Sequence, residues 1–230
     1  NLLLPRMILP LDDRIIVGIT NTLDLWTYRD TNNDGVADEK IKIYEGGKRG
    51  GNMEHQPSGL VWGLDNWIYI ANGDSGGKVR SLKTGDTANI SGRDLRVRPD
   101  TGAIDAQSGM TQFSRPRDDW GNWFGNNNPT WLWHTGLPER YLRRNPKLAI
   151  KSPKRILANY GNPTRVFPAS SPAQRPNQPW SLNHVTSACS PSPYRDDLFG
   201  VEFSASIFIS EPVHNCVHRE VLEAAGSGFK

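Results

Sequence analysis

The amino-acid sequence predicts an all-β fold, a β-propeller with long loops, on three observations. First, the 230 residues include 22 glycines and 17 prolines, and both residue types interrupt helices. Second, short β-branched or aromatic runs bounded by turn-forming residues recur along the chain, as is typical of strands. Third, the turn residues before two of these runs, Asp13 and Asn66, are 53 positions apart, close to the roughly 40–50 residues of a propeller blade.

Three segments share the order of a polar turn, a short apolar run and a small or polar stop: residues 12–18, 65–71 and 204–210. Second candidate strands follow the first and the third segments, at residues 25–28 and 216–222. A radial array of four-stranded sheets explains many short strands with few helices. A β-sandwich is the alternative, and it would require closer and more regular strand spacing.

We expect one propeller-type domain over residues 1–230, with an irregular insertion at about residues 118–179. At roughly 45 residues a blade, the chain supplies about five blades, or about four without the insertion. The ring is therefore expected to close with few blades, to close between copies, or to be a piece of a larger protein. Open blade edges can pair with another chain and are a candidate oligomer contact. The insertion contains four tryptophans, Trp120, Trp123, Trp131 and Trp133.

Composition excludes several classes of protein. The net charge of +3 argues against a dedicated nucleic-acid binder, and apolar runs such as residues 15–19 are too short to cross a bilayer. The two cysteines, Cys189 and Cys216, exclude a disulfide scaffold and a four-cysteine zinc site, and they fit one bridge or two free thiols. No charged-then-apolar leader follows Asn1, so we expect a mature form or a fragment.

Residues 30–38 are the most specific motif and predict a calcium-binding loop. Oxygen ligands at alternate positions let a tight loop wrap a hard cation, and Gly35 at the sixth position permits the sharp turn. Ile41 stands at position twelve, where an EF-hand needs a bidentate glutamate, so we expect a structural loop between strands. A polar turn that binds no metal is the alternative. The predicted ligands are the side chains of Asp30, Asn32, Asp34 and Asp38 and the carbonyl of Val36.

His55, with Glu54 beside it, is the candidate catalytic residue. His55 precedes a candidate strand, a Gly-x-Asp-x turn starts at Gly63, and a second strand ends in Gly73-Asp74. A neutral imidazole can accept a proton at neutral pH, and a neighbouring carboxylate can orient or tune it. The alternative is a turn histidine that is hydrogen-bonded to the backbone.

The layout of residues 54–77 resembles the soluble sugar dehydrogenases of the glucose/sorbosone type, which depend on pyrroloquinoline quinone (PQQ). Residues 93–102 are similar to the next blade of that family. These dehydrogenases are six-bladed propellers, so the resemblance implies that fold, in whole or in part. It also implies that His55 is the general base that takes the proton of a sugar or alcohol hydroxyl while hydride passes to the quinone.

A closer resemblance, over nearly the whole chain, is to the propeller domain of planctomycete-type membrane-bound dehydrogenases. It implies an exported or periplasmic protein with a small-molecule substrate. The stretches on which this resemblance rests are residues 62–69, 115–128, 141–146, 186–191, 211–215 and 217–219.

The resemblance to the sugar dehydrogenases also implies cationic contacts to the quinone, which is a tricarboxylate. Planar guanidinium groups suit carboxylates. Arg115 and Arg117 lie near the position of an arginine that contacts the quinone in that family. Arg144 and Asn145, followed by Pro146, look like the Arg-Asn-Pro of the same family, so the two segments compete for one role.

Near a predicted hairpin, His214 or Arg219 stands where the sugar dehydrogenases have a lysine that contacts the quinone. His214 and His218 also flank Cys216. On one strand these three alternate residues would face the same side and could converge on a metal. With a turn at Asn215 they would diverge, and this alternative is favoured.

Three functions are consistent with these patterns. The leading hypothesis is a PQQ-dependent dehydrogenase-like propeller that oxidises a sugar or another alcohol, with His55 as base. The second is a calcium-dependent hydrolase of lactonase type, since six-bladed lactonases share this architecture. The third is a non-catalytic carbohydrate- or protein-binding propeller, because tryptophans in loops can stack on sugars, although four so close together could equally form core.

Overall fold

The computed structural model describes residues 4–47, 51–158, 164–169 and 183–230, and over these residues the protein is nearly all-β. Contacts between Cα atoms divide the chain into unit 1 (Asn1–Ser114) and unit 2 (Arg115–Lys230). Each unit has its own antiparallel sheets and its own apolar core. The all-β prediction is confirmed, and the single propeller-type domain stays a prediction.

Unit 1 is built from two antiparallel sheets. Its described strands are β1 (Pro5–Pro10), β2 (Ile15–Ile19), β3 (Leu25–Arg29), β4 (Glu39–Glu45), β5 (Ser58–Trp62), β6 (Ile68–Ala71), β7 (Lys78–Ser81), β8 (Thr87–Asn89), β9 (Asp94–Arg98) and β10 (Ala103–Gln107). The strand order is β1-β2-β3-β4-β7-β8 in one sheet and β10-β9-β6-β5 in the other. The first sheet contains the four-stranded meander β1–β4, which the β7–β8 hairpin extends beyond β4. The second sheet has four antiparallel strands, and the same hairpin lies in sequence between its strands β6 and β9.

Unit 2 has smaller sheets. Its described elements are β11 (Phe124–Asn127), β12 (Thr130–Thr135), α1 (Glu139–Arg144), β13 (Lys154–Ile156), β14 (Cys189–Pro193), β15 (Ser206–Glu211), β16 (Cys216–Val221), β17 (Ala224–Ala225) and β18 (Gly228–Phe229), with short 3₁₀ turns at Val201–Phe203 and Pro212–His214. The sheets are β11-β12-β13, β14-β15-β16 and the ribbon β17-β18.

The apolar runs that predicted strands form buried strands. Ile16 and Val17 of β2 are fully buried, as is the whole of β6, because each run lies between two paired neighbours. β2 and β6 are each the second of four antiparallel strands, in β1-β2-β3-β4 and in β5-β6-β9-β10, so the 53-residue step relates equivalent positions. The candidate strands at residues 25–28 and 216–222 are confirmed as β3 and β16.

Each unit buries its own apolar side chains. Full burial of one large apolar side chain contributes roughly 1.5–3 kcal/mol to stability. In unit 1 the core includes Ile16, Leu25, Tyr44, Ile68, Ile70, Leu95 and Val97. In unit 2 it includes Phe124, Trp131, Leu132, Val185, Ile207 and Ile209.

The insertion expected at about residues 118–179 is more regular than its sequence suggested. Over residues 118–158 it contains the β11-β12-β13 sheet and helix α1, because the aromatic run of β12 is buried rather than placed in a loop. Residues 159–163 and 170–179 lie outside the described part of the chain. Across the described residues, no helix has the length and hydropathy needed to span a bilayer.

Candidate functional site

One edge of the four-stranded sheet in unit 1 gathers the candidate catalytic segment. Strand β5 begins and β6 ends at this edge, and β9 begins and β10 ends there too, since neighbouring strands are antiparallel. The loops beside these strand ends contain residues 52–57, 72–77 and 108–112. Three loops that are distant in sequence therefore meet at one place.

The backbone of His55 is fixed from two sides. Its N–H donates to the carbonyl of Asn52 at 3.0 Å, and its own carbonyl accepts a hydrogen bond from the hydroxyl of Ser75. The side chain is partly exposed, and among the described contacts its imidazole makes no hydrogen bond. The backbone, rather than the ring, therefore makes the described turn contacts.

A buried carboxylate holds the turn that contains Ser75. Asp94 is 0% exposed, and it accepts hydrogen bonds from the amides of Asn72 (3.2 Å) and Thr111 (2.9 Å) and from the Thr111 hydroxyl (2.7 Å). Because amide N–H donors to a buried carboxylate are strong contacts, Asp94 fixes where the turn leaves β6. The hydroxyl of Ser75, in the same turn, then holds the His55 carbonyl by its hydrogen bond.

Gly73 is required in this turn for two reasons. Its φ is +70°, which favours glycine, and a Cβ built on it would lie 2.0 Å from the carbonyl oxygen of Gln56. Gln56 is itself fully buried. Its Nε2 donates to Asn52 at 3.2 Å, while its Oε1 is buried without a partner among the described residues.

Residues 73–77 also match the pattern Gly-x-Ser-x-Gly, with Ser75 at its centre. In α/β-hydrolases this pattern forms a strand-to-helix turn. Here it connects β6 to β7, and the Ser75 hydroxyl contacts the His55 carbonyl rather than the imidazole. The geometry is therefore not that of an activated serine nucleophile.

Glu54 lies on the same loop, and its backbone carbonyl contacts Arg6. Arg6 donates to the carbonyls of Met53 and Glu54. Burial lowers the pKa of Arg6, and the negative charge of Glu54 opposes this shift. Within the described residues, no contact joins the Glu54 carboxylate to the His55 ring, so an orienting role for Glu54 has no geometric support.

The predicted calcium loop connects β3 to β4, as expected for a loop between strands. The Asp30 carboxylate accepts hydrogen bonds from the amides of Asn33 (2.7 Å) and Gly35 (2.8 Å), so the loop folds over it. Asp38 accepts hydrogen bonds from the hydroxyl and amide of Thr31, and these lower its pKa. Throughout the described residues, no three His, Cys, Asp or Glu side chains are grouped to hold a metal. Of the five predicted ligands, Asn32, Asp34, Val36 and Asp38 are exposed and Asp30 is half-buried.

The arginines predicted to contact the quinone lie in unit 2, in three different settings. Arg115 is 3% exposed, with its guanidinium carbon 5.4 Å from the centre of the Trp123 ring. Arg117 donates to the carbonyl of Asp118 at 2.8 Å. Arg144 is exposed at the end of α1, next to Asn145, which accepts a hydrogen bond from the backbone of Lys147.

His214 is buried, with its ring 1% exposed. Its Nδ1 lies 2.9 Å from the Glu211 carboxylate, which also accepts hydrogen bonds from the amides of Thr186, Ser187 and His214. Burial alone would raise the pKa of Glu211, but these hydrogen bonds outweigh it and lower the pKa. The pair stabilises the turn before β16 and leaves no open face for a cofactor.

The His-x-Cys-x-His sequence does not converge. Asn215 has a φ of +52° and separates His214 from β16, so the favoured alternative of a turn at Asn215 is what the structure has. His218 stacks on Trp131 with ring centres 4.3 Å apart. Both cysteines are free, and burial raises the pKa of Cys189 and Cys216, which disfavours thiolate chemistry.

Sequence reasoning did not single out three residues that organise these sites. Asp94 and Ser75 become important only through the topology, because their partners lie 17 to 22 residues away. Glu211 has a local signal, since it caps a Pro-Val-His turn and bonds a histidine three residues later.

Over the described residues, the fold class is all-β, with several antiparallel sheets. The chain matches, over residues 1–230, the family described as a domain of unknown function, DUF7133, and it belongs to that family. No curated protein matches the sequence. Among solved structures, the chain is similar to selenomethionine-substituted virginiamycin B lyase from Staphylococcus aureus, with a TM-score of 0.41 and 9% identity over 97% of this chain and 67% of that chain.

Proposed function

We propose that the two units form a propeller-type domain. Propeller blades are four-stranded antiparallel sheets, and unit 1 contains two sets of four antiparallel strands, β1-β2-β3-β4 and β5-β6-β9-β10, whose second strands are equivalent. The two three-stranded sheets of unit 2 are candidates for smaller blades. These features support the proposal.

On this scaffold we propose an oxidoreductase that converts a sugar or another alcohol to the corresponding carbonyl compound, with His55 as general base. The observation that supports this best is the fixed backbone of His55 combined with its partly exposed imidazole. A general base has to be positioned, and it has to remain within reach of the proton it removes. The loop meets both requirements.

When bound, a quinone such as PQQ supplies the acceptor for the hydride that leaves the carbinol carbon. His55 accepts the hydroxyl proton through a ring nitrogen, so the substrate loses two electrons and two hydrogens in total. Asp94 and Ser75 are positioning residues in this scheme, because they hold the loop without facing the substrate.

A tricarboxylate such as this quinone calls for guanidinium groups, which pair well with carboxylates. The resemblance assigns this role to Arg115, Arg117, Arg144 and Asn145, but these residues of unit 2 lie in different settings and form no single site among the described contacts: Arg115 is 3% exposed, and Arg117 donates to the carbonyl of Asp118. His214 is outside the proposed site because its ring is buried against Glu211.

Reconstitution of the purified protein tests this proposal. Protein incubated with PQQ and Ca²⁺ is expected to reduce a dye with aldoses or simple alcohols. His55→Ala is expected to lower kcat/KM by roughly 10²–10⁴-fold, the usual contribution of a general base. His184, a partly exposed histidine of unit 2, provides the control, and His184→Ala should retain full activity.

Two outcomes would contradict the proposal: no uptake of the quinone by absorbance, or equal rates for the protein and its His55→Ala variant. Hydrolysis of lactones without PQQ, lost in the same variant, would instead favour the hydrolase alternative. A lactone panel assayed with and without a chelator separates the two chemistries, because the hydrolase alternative is calcium-dependent.

We also propose that the loop of residues 30–38 binds calcium and ties down the β3–β4 connection. The oxygen donors of the loop and the left-handed backbone conformation of Gly35 (φ +86°) support this. Calorimetric titration with Ca²⁺ is expected to show binding that Asp30→Ala abolishes. A chelator should lower the Tm of the wild-type protein but not that of Asp30→Ala. Exposed Asp86, outside this loop, provides the control variant Asp86→Ala. Equal binding by Asp30→Ala would exclude this loop.

A further inference from the structure

A cavity of about 570 Å³ lies within unit 2, in the range of roughly 300–1,000 Å³ that small-molecule sites occupy. Residues 118–122 line one side, and the segment after β14 lines the other. Phe124 and Phe229 contribute apolar surface to it. The cavity is thus large enough for an organic ligand, and all of its lining residues belong to unit 2.

An exposed tryptophan lines this cavity. Trp120 is 80% exposed, whereas Trp123, Trp131 and Trp133 from the same segment are 9%, 0% and 2% exposed. The four tryptophans therefore divide between core and surface. An indole ring offers a broad apolar face for stacking, and at Trp120 this face borders a cavity rather than a flat surface.

A hydrogen-bonded turn orders the backbone at Trp120 in the free protein. The Asp118 carboxylate accepts hydrogen bonds from the amides of Trp120 (3.0 Å) and Asn122 (2.8 Å) and from the Asn122 side chain (2.7 Å). Gly121 adopts a φ of +82° within this turn. Because the backbone is already ordered, little conformational entropy is lost there on binding.

Polar groups suited to hydroxyls stand beside the indole. Asp119 and Arg195 form an ion pair, with Nε to Oδ1 at 2.6 Å, and both side chains are about half exposed. The pair offers acceptor oxygens and guanidinium donors at one place. Asp196 also lines the cavity, so carboxylates outnumber the guanidinium and an anionic ligand is disfavoured.

We infer that this cavity binds a neutral carbohydrate, with one sugar ring stacked on Trp120 and its hydroxyls bonded to Asp119 and Arg195. A sugar ring combines an apolar C–H face with a rim of hydroxyls, which matches an indole beside paired donors and acceptors. The cavity would serve to hold a glycan, independently of any chemistry at His55.

Titration of the full chain with soluble neutral oligosaccharides (glucan, mannan and xylan fragments) tests the inference by calorimetry and tryptophan fluorescence. We expect binding by at least one of them, with an affinity at least tenfold lower in Trp120→Ala and largely kept in Trp120→Phe. The exposed Trp62 of unit 1 provides the matched control, and Trp62→Ala should bind as the wild type does.

The comparison ligands are galacturonan fragments, which carry carboxylates, and tetramethylammonium, a simple organic cation. Weaker binding of galacturonan than of the neutral fragments is expected from the excess of carboxylates. Absence of binding by the whole neutral panel would overturn the inference, as would unchanged affinity in Trp120→Ala. Binding of tetramethylammonium without any sugar would assign the cavity to cations instead. All of these titrations are made without PQQ, so they do not depend on the redox proposal.

Discussion

The two units bury polar side chains in different ways. In unit 1, the carboxylate of Asp94 is fully buried and accepts three hydrogen bonds that join two loops. In unit 2, the carboxylate of Glu211 has a similar role, but the surrounding polar groups are less well matched. Among the described residues, buried side-chain atoms without a hydrogen-bond partner occur there on Asn126, Asn127, Trp131, Trp133, Ser187 and His214.

The same kind of atom is rarer in the described part of unit 1, where it occurs on Tyr28 and Gln56. A buried polar group left without a partner costs roughly 1–3 kcal/mol. The described sheets of unit 2 also contain fewer strands than those of unit 1. We conclude that unit 1 is built around a rigid loop edge, whereas unit 2 depends more heavily on its aromatic core and on Glu211.

The largest effect is expected from Asp94→Ala in unit 1. The change leaves the amides of Asn72 and Thr111 and the Thr111 hydroxyl without their acceptor, so we expect a loss of about 3 kcal/mol or more in the free energy of unfolding. Urea denaturation of the full chain measures it. Asp100, exposed in the β9–β10 turn, provides the control, and Asp100→Ala should change stability by less than about 0.5 kcal/mol. A loss of that small size in Asp94→Ala would show that the loop edge is not organised by this carboxylate.

The strands of unit 1 could be predicted because their signals are local. β2 and β6 each combine a polar turn with a β-branched run, and each of these patterns spans fewer than ten residues. The pairing of β4 with β7 has no such signal, since it joins residues 35 to 37 positions apart through backbone hydrogen bonds. In unit 2, the sequence does not predict β12 as a buried strand, because tryptophans that follow asparagines and a proline are as typical of a functional loop.

The candidate site follows the same division. His55 stands out because of its residue type and its place before a strand, both of which are visible in sequence. Ser75 and Asp94, which fix its backbone, act across the sheet edge, and their importance appears only with the topology. Trp120 illustrates a further limit: the sequence contains four clustered tryptophans, but burial alone decides which one meets solvent.

A smaller effect, dependent on pH, is expected from Glu211→Gln in unit 2. The glutamine keeps the shape but loses the charge that the surrounding donors stabilise, so we expect a loss of about 1–3 kcal/mol at neutral pH. Urea denaturation at several pH values measures it. Glu202 is exposed in the same unit, and Glu202→Gln serves as the control that should leave the pH profile unchanged.

The direction of the pH dependence follows from the lowered pKa of Glu211. A group whose pKa is lower in the folded state stabilises the fold above its unfolded pKa, here close to 4.5, and this contribution disappears as the pH falls through the folded value. The stability difference between wild type and Glu211→Gln should therefore shrink on acidification below about pH 4.5. His214 is the titratable side chain that directly faces this carboxylate, with Cys189 and Cys216 also within its electrostatic influence. The thiols stay protonated throughout the acid range, so they do not contribute there, and His214→Gln isolates the imidazole. A difference that stays constant down to about pH 3 would mean that the Glu211 charge does not stabilise unit 2, and the contrast between the two units would then rest on Asp94 alone.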